Sequence, residues 1–364
     1  MVVLLHADLF VAPLIDHHQS LLVKKWYLMV DLFFVLSGFV IAHVYGPTFE
    51  NSIRWSDYRR FMVARFARLY PLHLLTLVWS FAAFGGLMWF QHPMPYEVKK
   101  FFEWPGFLSN LVFAQAIGLH DTWRGNGPAW SVSSEWWTYL LFPLLASKGT
   151  ARSTWGIATA LLFVAAAYFV IETWLTVNCP LFADDRLAYM RGTLGTTFDF
   201  GWLRCLAGFV LGMVMYRAYV TNFARRFLSH SGNFVLLIIA TAIGMHCNVN
   251  DVVTALLFAA IVLAAAFNRS WLCRLFSTRP LQRLGDWSYS IYLIHFPLLC
   301  SLMVLVDAVK GPPRREASLP PPTKPLLVAW GIAIFWCALT VAVAAFVHRY
   351  IEVPARQRIR KWSE

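Results

Sequence analysis

The chain of 364 residues is 59% hydrophobic and only 14% charged, with 17 Trp and 30 Phe. Soluble domains are typically about 45–50% apolar and about 25% charged, so this composition indicates a protein with several membrane-spanning helices. A net charge of +12 would favour nucleic acid as the partner of a soluble protein. Here we attribute the charge to basic loops that orient the helices, and we expect no nucleic-acid partner.

Apolar runs long enough to cross a bilayer recur along the whole chain. A spanning helix needs about 20 largely apolar residues. The segment 105–119 is apolar but short, so we expect it to be interfacial or re-entrant. The longer runs predict an all-α fold of about ten transmembrane helices, at residues 1–14, 28–46, 69–90, 130–146, 155–177, 200–216, 233–247, 251–267, 287–307 and 326–347.

The distribution of basic residues predicts which side of the membrane each loop faces. Loops 54–68 and 349–361 belong to an alternating set that carries more Lys and Arg than the opposite set. Cytoplasmic loops carry such an excess, so we expect both termini to be cytoplasmic. The outer loops 91–129 and 178–199 are the longest. The Pro-rich stretch 308–325 is expected to form an extended linker.

Two ionisable residues near the start of the chain are candidates for function, because such groups are costly inside a membrane. His6 lies in the first predicted span, and a neutral histidine can act as a general base near neutral pH. The alternative for His6 is a structural ring bonded to a backbone carbonyl. Asp31 opens the second span, where an N-cap role is the alternative.

The stretch "RFARLYPLH" carries Arg65 and Arg68 three residues apart. That spacing places both guanidinium groups on one face of a helix. Paired arginines at a membrane edge suit phosphate groups, which they bind through two parallel hydrogen bonds. The alternative is a pair of ordinary anchors that reach toward the lipid headgroups.

Glu135 and Arg204 stand near the predicted outer ends of two spans. Glu135 lies among tryptophans in "AWSVSSEWW", and the alternative to a functional acid is a favourable interaction with the helix dipole. A cation is seldom needed at an outer helix end. Arg204 is therefore expected to form an ion pair with a carboxylate such as Glu135 or Asp199.

The stretch "WSYSIYLIHFPLL" places Ser288, Tyr292 and His295 on one polar stripe of a helix. The alternative to a functional stripe is a structural set of hydrogen bonds. The sequence contains no P-loop, no GxSxG elbow and no HExxH zinc helix, and its cysteines lack metal-ligand spacing, so we expect no metal. These residues alone would also suit a transporter or exporter.

Seven blocks give the chain a family resemblance from about residue 1 to residue 360. In this order they resemble the acyltransferase-3 family of bacterial inner-membrane O-acyltransferases, and "FFVLSGF" and "AWSVSSEWW" are the most specific stretches. The blocks are "VVLLHA", "VDLFFVLSGFVIAHVYG", "RFARLYPLH", "GPAWSVSSEWWTYLLFPLL", "RCLAGFVLGMVMYR", "LGDWSYSIYLIHFPLL" and "HRYIEVPARQRIRK".

The resemblance implies transfer of an acyl group, usually acetyl, from cytoplasmic acyl-CoA to an acceptor on the periplasmic side. It implies no permanently bound cofactor. His6 corresponds to the family's candidate base or acyl relay, and Arg65 and Arg68 to its paired arginines. Glu135 corresponds to the acid of the family's W-S-x-x-x-E block, with Trp136 where many relatives have another residue.

The chain departs from the family pattern at its start. Relatives usually carry an L-R-G-x-A stretch before the first histidine, whereas five residues precede His6 here. We therefore expect the first half of helix 1 to be missing. Many relatives also append a periplasmic hydrolase domain, but residues 1–364 are expected to form one transmembrane domain. The acceptor class stays open among polysaccharides, lipid-linked sugars and small molecules.

Overall fold

A computed structural model describes residues 1–10, 13–15, 20–90, 100–180, 188–311 and 325–363. Helices make up 79% of the structure, and the described residues contain no strand. The predicted all-α class is therefore confirmed. Most of the predicted linker 308–325 and parts of the two long outer loops lie outside the described residues.

Each of the predicted spans overlaps a helix, although residues 11–12 of the first span lie outside the described residues. The main helices of the described residues are α1 (Val2–Phe10), α2 (Met29–Phe49), α3 (Trp55–Trp89), α4 (Trp104–Leu111), α5 (Trp130–Ser147), α6 (Thr154–Val170), α7 (Gly201–Val220), α8 (Ser231–His246), α9 (Asp251–Phe267), α10 (Arg279–Lys310), α11 (Leu326–Val347) and α12 (Val353–Arg360).

Length and composition make several of these helices able to cross a membrane. Among the described residues, six helical stretches are long and apolar enough: Lys24–Phe49, Trp55–Trp89, Thr154–Leu175, Gly201–Val220, Arg279–Lys310 and Leu326–Arg360. Helices α8 and α9 are apolar but shorter. The chain is therefore a multi-pass membrane protein, whereas the number ten and the orientation of the termini stay predictions.

Three helices extend well beyond the apolar runs that predicted them. Helix α3 begins at Trp55, so the predicted loop 54–68 is helical almost throughout. Helix α10 begins at Arg279 rather than 287. The last span continues through a π-helical turn, His348–Glu352, into α12. Arginine and lysine favour helices almost as well as leucine, so a charged segment need not end one.

Helices α2 and α7 pack with their backbones in close contact. A Cβ atom on Gly38 would lie 2.0 Å from the carbonyl oxygen of Phe209, and one on Gly212 would lie 2.1 Å from that of Val35. Gly208 and Gly212 are spaced four residues apart on α7, a spacing that lets transmembrane helices approach closely. This crossing joins the two helices that carry Asp31 and Arg204.

Substituting Gly38 by alanine is expected to destabilise the protein, because the new methyl group would overlap the backbone of α7. Overpacking of a close-packed site costs about 1–3 kcal/mol or more. The measurement is the thermal midpoint of the detergent-solubilised protein. Gly46→Ala on the same helix is the control, since a Cβ there meets no atom within 4 Å. Equal midpoints for the two variants would contradict the close crossing.

Candidate active site

The structure brings two histidines from distant parts of the sequence into contact. Nδ1 of His6 on α1 lies 3.2 Å from Nε2 of His295 on α10. His295 is fully buried. The ring of Phe10 stacks 6.0 Å from the His6 ring, and that of Phe296 meets it edge-on at 6.2 Å. His6 thus stands in apolar surroundings with a polar neighbour that belongs to another helix.

One hydrogen bond fixes which nitrogen of His6 carries the proton. Nδ1 lies 2.9 Å from the carbonyl oxygen of Val2, one helical turn earlier. A carbonyl oxygen accepts hydrogen bonds and cannot donate them, so Nδ1 must carry the hydrogen. In the neutral ring the lone pair is then on Nε2. His6 therefore has the tautomer of a base or nucleophile that acts through Nε2.

A cavity of about 270 Å³ lies between α2, α3, α5 and α10. It brings the two arginines predicted to bind phosphate together with the predicted acid. Tyr292 also reaches this cavity. The polar side chains on its wall are Ser37, Arg65, Arg68, Ser131, Glu135, Tyr139, Ser288, Tyr289 and Tyr292.

Glu135 lies deeper than the sequence predicted. Ser37 donates a hydrogen bond of 2.8 Å to Glu135, and the hydroxyl of Tyr139 donates a second. Ser37 stands near the middle of α2, which runs from Met29 to Phe49. The carboxylate therefore sits level with the centre of that helix, rather than at an outer edge. Its hydrogen-bond partners belong to the arginine-lined cavity and not to the histidine pair.

The two arginines have different surroundings. Arg68 forms an ion pair with Glu352 and lies over the ring of Tyr289. Arg65 donates a hydrogen bond of 3.2 Å to the hydroxyl of Tyr45, and its guanidinium lies 5.7 Å from the ring centre of Tyr139. No carboxylate of the described residues lies within 4 Å of Arg65. Arg65 is therefore the cation whose charge is available to a ligand.

Glu352 is a buried acid beside the arginine pair that the sequence analysis did not single out. It is 1% exposed, and its carboxylate accepts hydrogen bonds from Arg68, from Ser290 at 2.6 Å and from the ring of His348 at 3.1 Å. The residue lies in the block "HRYIEVPARQRIRK", to which no role was assigned. A lone acid among basic residues at the end of a span was the available signal.

Tyr292 connects the cavity to the histidine pair. Its hydroxyl lies 2.9 Å from Oγ of Ser131 and donates to the carbonyl of Pro128 at 2.8 Å. Its ring centre is 5.9 Å from that of His295. Tyr292 and His295, which the sequence places on one stripe of a helix, thus lie between the arginine-lined cavity and His6. Among the described residues, no group of three or more His, Cys, Asp or Glu could hold a metal ion.

Asp31 and Arg204 form a buried ion pair away from the cavity. Nε of Arg204 lies 2.9 Å from one carboxylate oxygen and Nη2 lies 2.6 Å from the other. Both side chains are fully buried. Neither Glu135 nor Asp199, the partners considered from the sequence, pairs with Arg204. The N-cap position of α2 is Leu28, so the N-cap interpretation of Asp31 is also wrong.

A second buried acid, Asp251 at the start of α9, was not singled out from the sequence. It accepts hydrogen bonds from Lys25 at 2.6 Å, from the hydroxyl of Tyr27 at 2.5 Å and from the backbone of Leu194 at 2.9 Å. An acid at a helix N-terminus is common, so its position in the sequence does not set Asp251 apart. These hydrogen bonds tie the segments around Lys25 and Leu194 to α9, and they pair the negative charge of Asp251.

An ion-pair cluster holds the loop that follows α4. Arg124 lies 2.7 Å from Glu103 and 3.0 Å from Asp121, and Lys100 pairs with the same aspartate. The hydrogen bond from Lys100 lowers the pKa of Asp121 below its ordinary value. The loop is therefore tied by Asp121 and Arg124 to the residues just before α4.

Comparisons with known proteins agree with the resemblance. The acyltransferase-3 family model, an acyltransferase domain, matches residues 1–349. Acyltransferase MdmB of Streptomyces mycarofaciens is 27% identical over 345 residues, which are 89% of this chain and 79% of that protein. Protein 2 in the picA locus of Rhizobium radiobacter is 36% identical over 157 residues, which are 39% of this chain and 80% of that protein.

A third relative is a named glycan-modifying enzyme. The peptidoglycan O-acetyltransferase OatA of Listeria monocytogenes is 24% identical over 367 residues, 97% of this chain. The chain spans about half of that protein, since the match covers 55% of it. No solved structure matches the chain. The chain therefore belongs to the acyltransferase-3 family, and it is a multi-pass membrane O-acyltransferase.

Proposed function

We propose that this protein transfers an acyl group, with acetyl as the first choice, from cytoplasmic acyl-CoA to a hydroxyl of a glycan or lipid-linked sugar on the periplasmic side. Residues 1–364 act as one transmembrane domain of about ten helices in the bacterial inner membrane, with both termini in the cytoplasm. The observation that carries the proposal is the cavity, which runs from an arginine pair to the wall beside the histidines. Acyl-CoA is a substrate here, not a resident cofactor.

The donor end of this proposed site is the arginine pair. Acyl-CoA carries phosphate groups, and arginine binds them through charge-assisted hydrogen bonds. Arg65 lacks a carboxylate partner among the described residues, whereas Arg68 is held by Glu352. Arg65 would therefore bind the phosphates, and Arg68 would fix the geometry of the pocket. Glu135, hydrogen-bonded in the same cavity, would act on the donor there rather than directly on His6.

The reacting end is His6, which acts in one of two ways. As a base, Nε2 takes the acceptor's hydroxyl proton while the hydroxyl oxygen bonds to the thioester carbonyl carbon. The carbon–sulfur bond then breaks, and the proton passes to the sulfur of CoA. As a relay, Nε2 itself bonds to the carbonyl carbon and CoA leaves as its thiolate. The acceptor oxygen later displaces His6, and the hydroxyl proton neutralises the thiolate.

The test of this function is the fate of the thioester. Purified protein in lipid nanodiscs is incubated with acetyl-CoA and an extract of cell-surface glycans. We expect release of the CoA thiol that depends on the glycan, with acetyl esters found on the glycan by mass spectrometry. A transporter without acyl transfer would move solute across vesicles and leave the thioester intact, which would overturn the proposal.

Arg65→Gln is expected to raise the KM for acetyl-CoA by about 10–100-fold, since a hydrogen bond to a charged group contributes about 1.5–3 kcal/mol. The value of kcat should change little, because the arginine contacts the donor away from the reacting carbon. Steady-state kinetics with varied acetyl-CoA measure both constants. Arg60→Gln, on an exposed face of the same helix, is the control. Unchanged KM in Arg65→Gln would remove this arginine from the donor site.

A further inference from the structure

We propose that His295 is a positioning residue for His6: its Nε2 accepts the Nδ1 proton of His6 and stabilises the charge that His6 acquires during transfer. This inference rests on the proposed function, because it assigns His295 a part in the same reaction. It does not depend on whether His6 acts as a base or as an acyl relay. The carrying observation is the 3.2 Å contact between the two rings.

The hydrogen-bonding partners settle the direction of this contact. Nδ1 of His6 carries the hydrogen because it also faces the Val2 carbonyl at 2.9 Å. Nε2 of His295 must then be the acceptor, since two N–H groups pointed at each other would repel. In the neutral ring, the proton of His295 is consequently on Nδ1. The hydrogen on Nδ1 of His6 is shared between a carbonyl oxygen and an imidazole nitrogen.

This arrangement matters most when His6 is charged. Taking up either a proton or an acyl group on Nε2 makes the ring a cation, with Nδ1–H as its stronger donor. Hydrogen bonds from charged donors are roughly twice as strong as those between neutral groups. The bond to His295 therefore strengthens as the transition state forms, and such differential stabilisation lowers the barrier.

The surroundings explain why a second acceptor, from another helix, stabilises a charged His6. The rings of Phe10 and Phe296 cover His6 on two sides, and a charge among apolar groups is costly unless it is hydrogen-bonded. The ring centre of Trp336 lies 6.1 Å from that of His295, so His295 is itself held by packing. A fully buried ring held in this way keeps Nε2 aimed at His6.

The experiment compares two amide variants of His295 that differ in reach. In His295→Gln the side-chain amide falls near the position of Nε2, whereas in His295→Asn it falls near Nδ1. We expect kcat to fall about 10–100-fold in His295→Asn, the range set by one charged hydrogen bond. His295→Gln should retain most of its kcat. The KM for acetyl-CoA should be unchanged in both variants, since neither change touches the arginines.

His73→Asn is the matched control, because His73 is also a buried histidine. Its ring contacts the backbone carbonyl of Asn110 at 2.9 Å and not His6. A merely structural role for His295 predicts equal losses of thermal stability and kcat in His73→Asn and His295→Asn. Equal kcat in the Gln and Asn variants of His295 would overturn the proposal. Wild-type protein that does not consume acetyl-CoA would instead refute the proposed function, so the two failures are distinguishable.

Discussion

His6→Ala is expected to lower kcat for acyl transfer by about 100-fold or more, the range that a positioned general base contributes. The KM for acetyl-CoA should stay nearly constant, because the cavity that holds the arginines lies on the other side of Tyr292. The physical reason is the tautomer of His6. Its Nδ1–H is engaged by the Val2 carbonyl, so Nε2 is the nitrogen that would act on the substrate in the proposed reaction.

The measurement is acyl transfer in membranes and in nanodiscs, at equal amounts of folded protein. His246→Ala, which removes a solvent-exposed ring, is the control and should leave kcat unchanged. Rapid quenching of wild-type protein with labelled acetyl-CoA, without acceptor, separates the two roles of His6. Label bound at His6 indicates the relay, and its absence indicates the base. Full acylation by His6→Ala would exclude both roles.

Arg204→Met is expected to destabilise the protein by about 3–5 kcal/mol, the cost of leaving one charge of a buried pair without its partner. Asp31 would remain fully buried, with both carboxylate oxygens deprived of their guanidinium donors. The thermal midpoint in detergent, with and without added lipid, measures the loss. Arg217→Met, nearer the other end of α7, is the control and should have a midpoint close to that of the wild type.

The double variant Asp31→Leu with Arg204→Met tests the reason for the loss. Replacing a buried ion pair by apolar residues of similar volume is often neutral or stabilising. We therefore expect the double variant to regain much of the stability lost in Arg204→Met. A double variant as unstable as the sum of the single ones would mean that the two residues act separately. High transfer activity in a folded double variant would confirm that the pair is structural.

The sequence predicted the helices well and the partners of the buried charges poorly. Apolar runs located the main helices, because a run of about 20 apolar residues has few other stable environments. The apolar run placed the beginning of α3 at residue 69 instead of Trp55, because the first turns of that helix are rich in basic residues. The segment 105–119 was expected to be interfacial or re-entrant, and α4 occupies part of it as a short helix.

The partners of charged residues could not be predicted, because they come from distant parts of the chain. Arg204 meets Asp31, 173 residues away, and Arg68 meets Glu352, 284 residues away. Residue spacing predicts neighbours only within a helix. This spacing grouped Arg65 with Arg68, and Tyr292 with His295. It could not indicate that Glu352 neutralises Arg68 and leaves the charge of Arg65 available.

By itself, the sequence determined that this is an all-helical membrane protein of the acyltransferase-3 family, and it selected His6, Arg65, Arg68 and Glu135 as candidates. Composition and ordered motifs suffice for these conclusions, since both are properties of the chain alone. Only the tertiary structure decided that His6 contacts His295, that Glu135 lies with the arginines, and that Asp31 binds Arg204. These contacts depend on which helices pack together, and a buried polar group takes whatever partner that packing supplies.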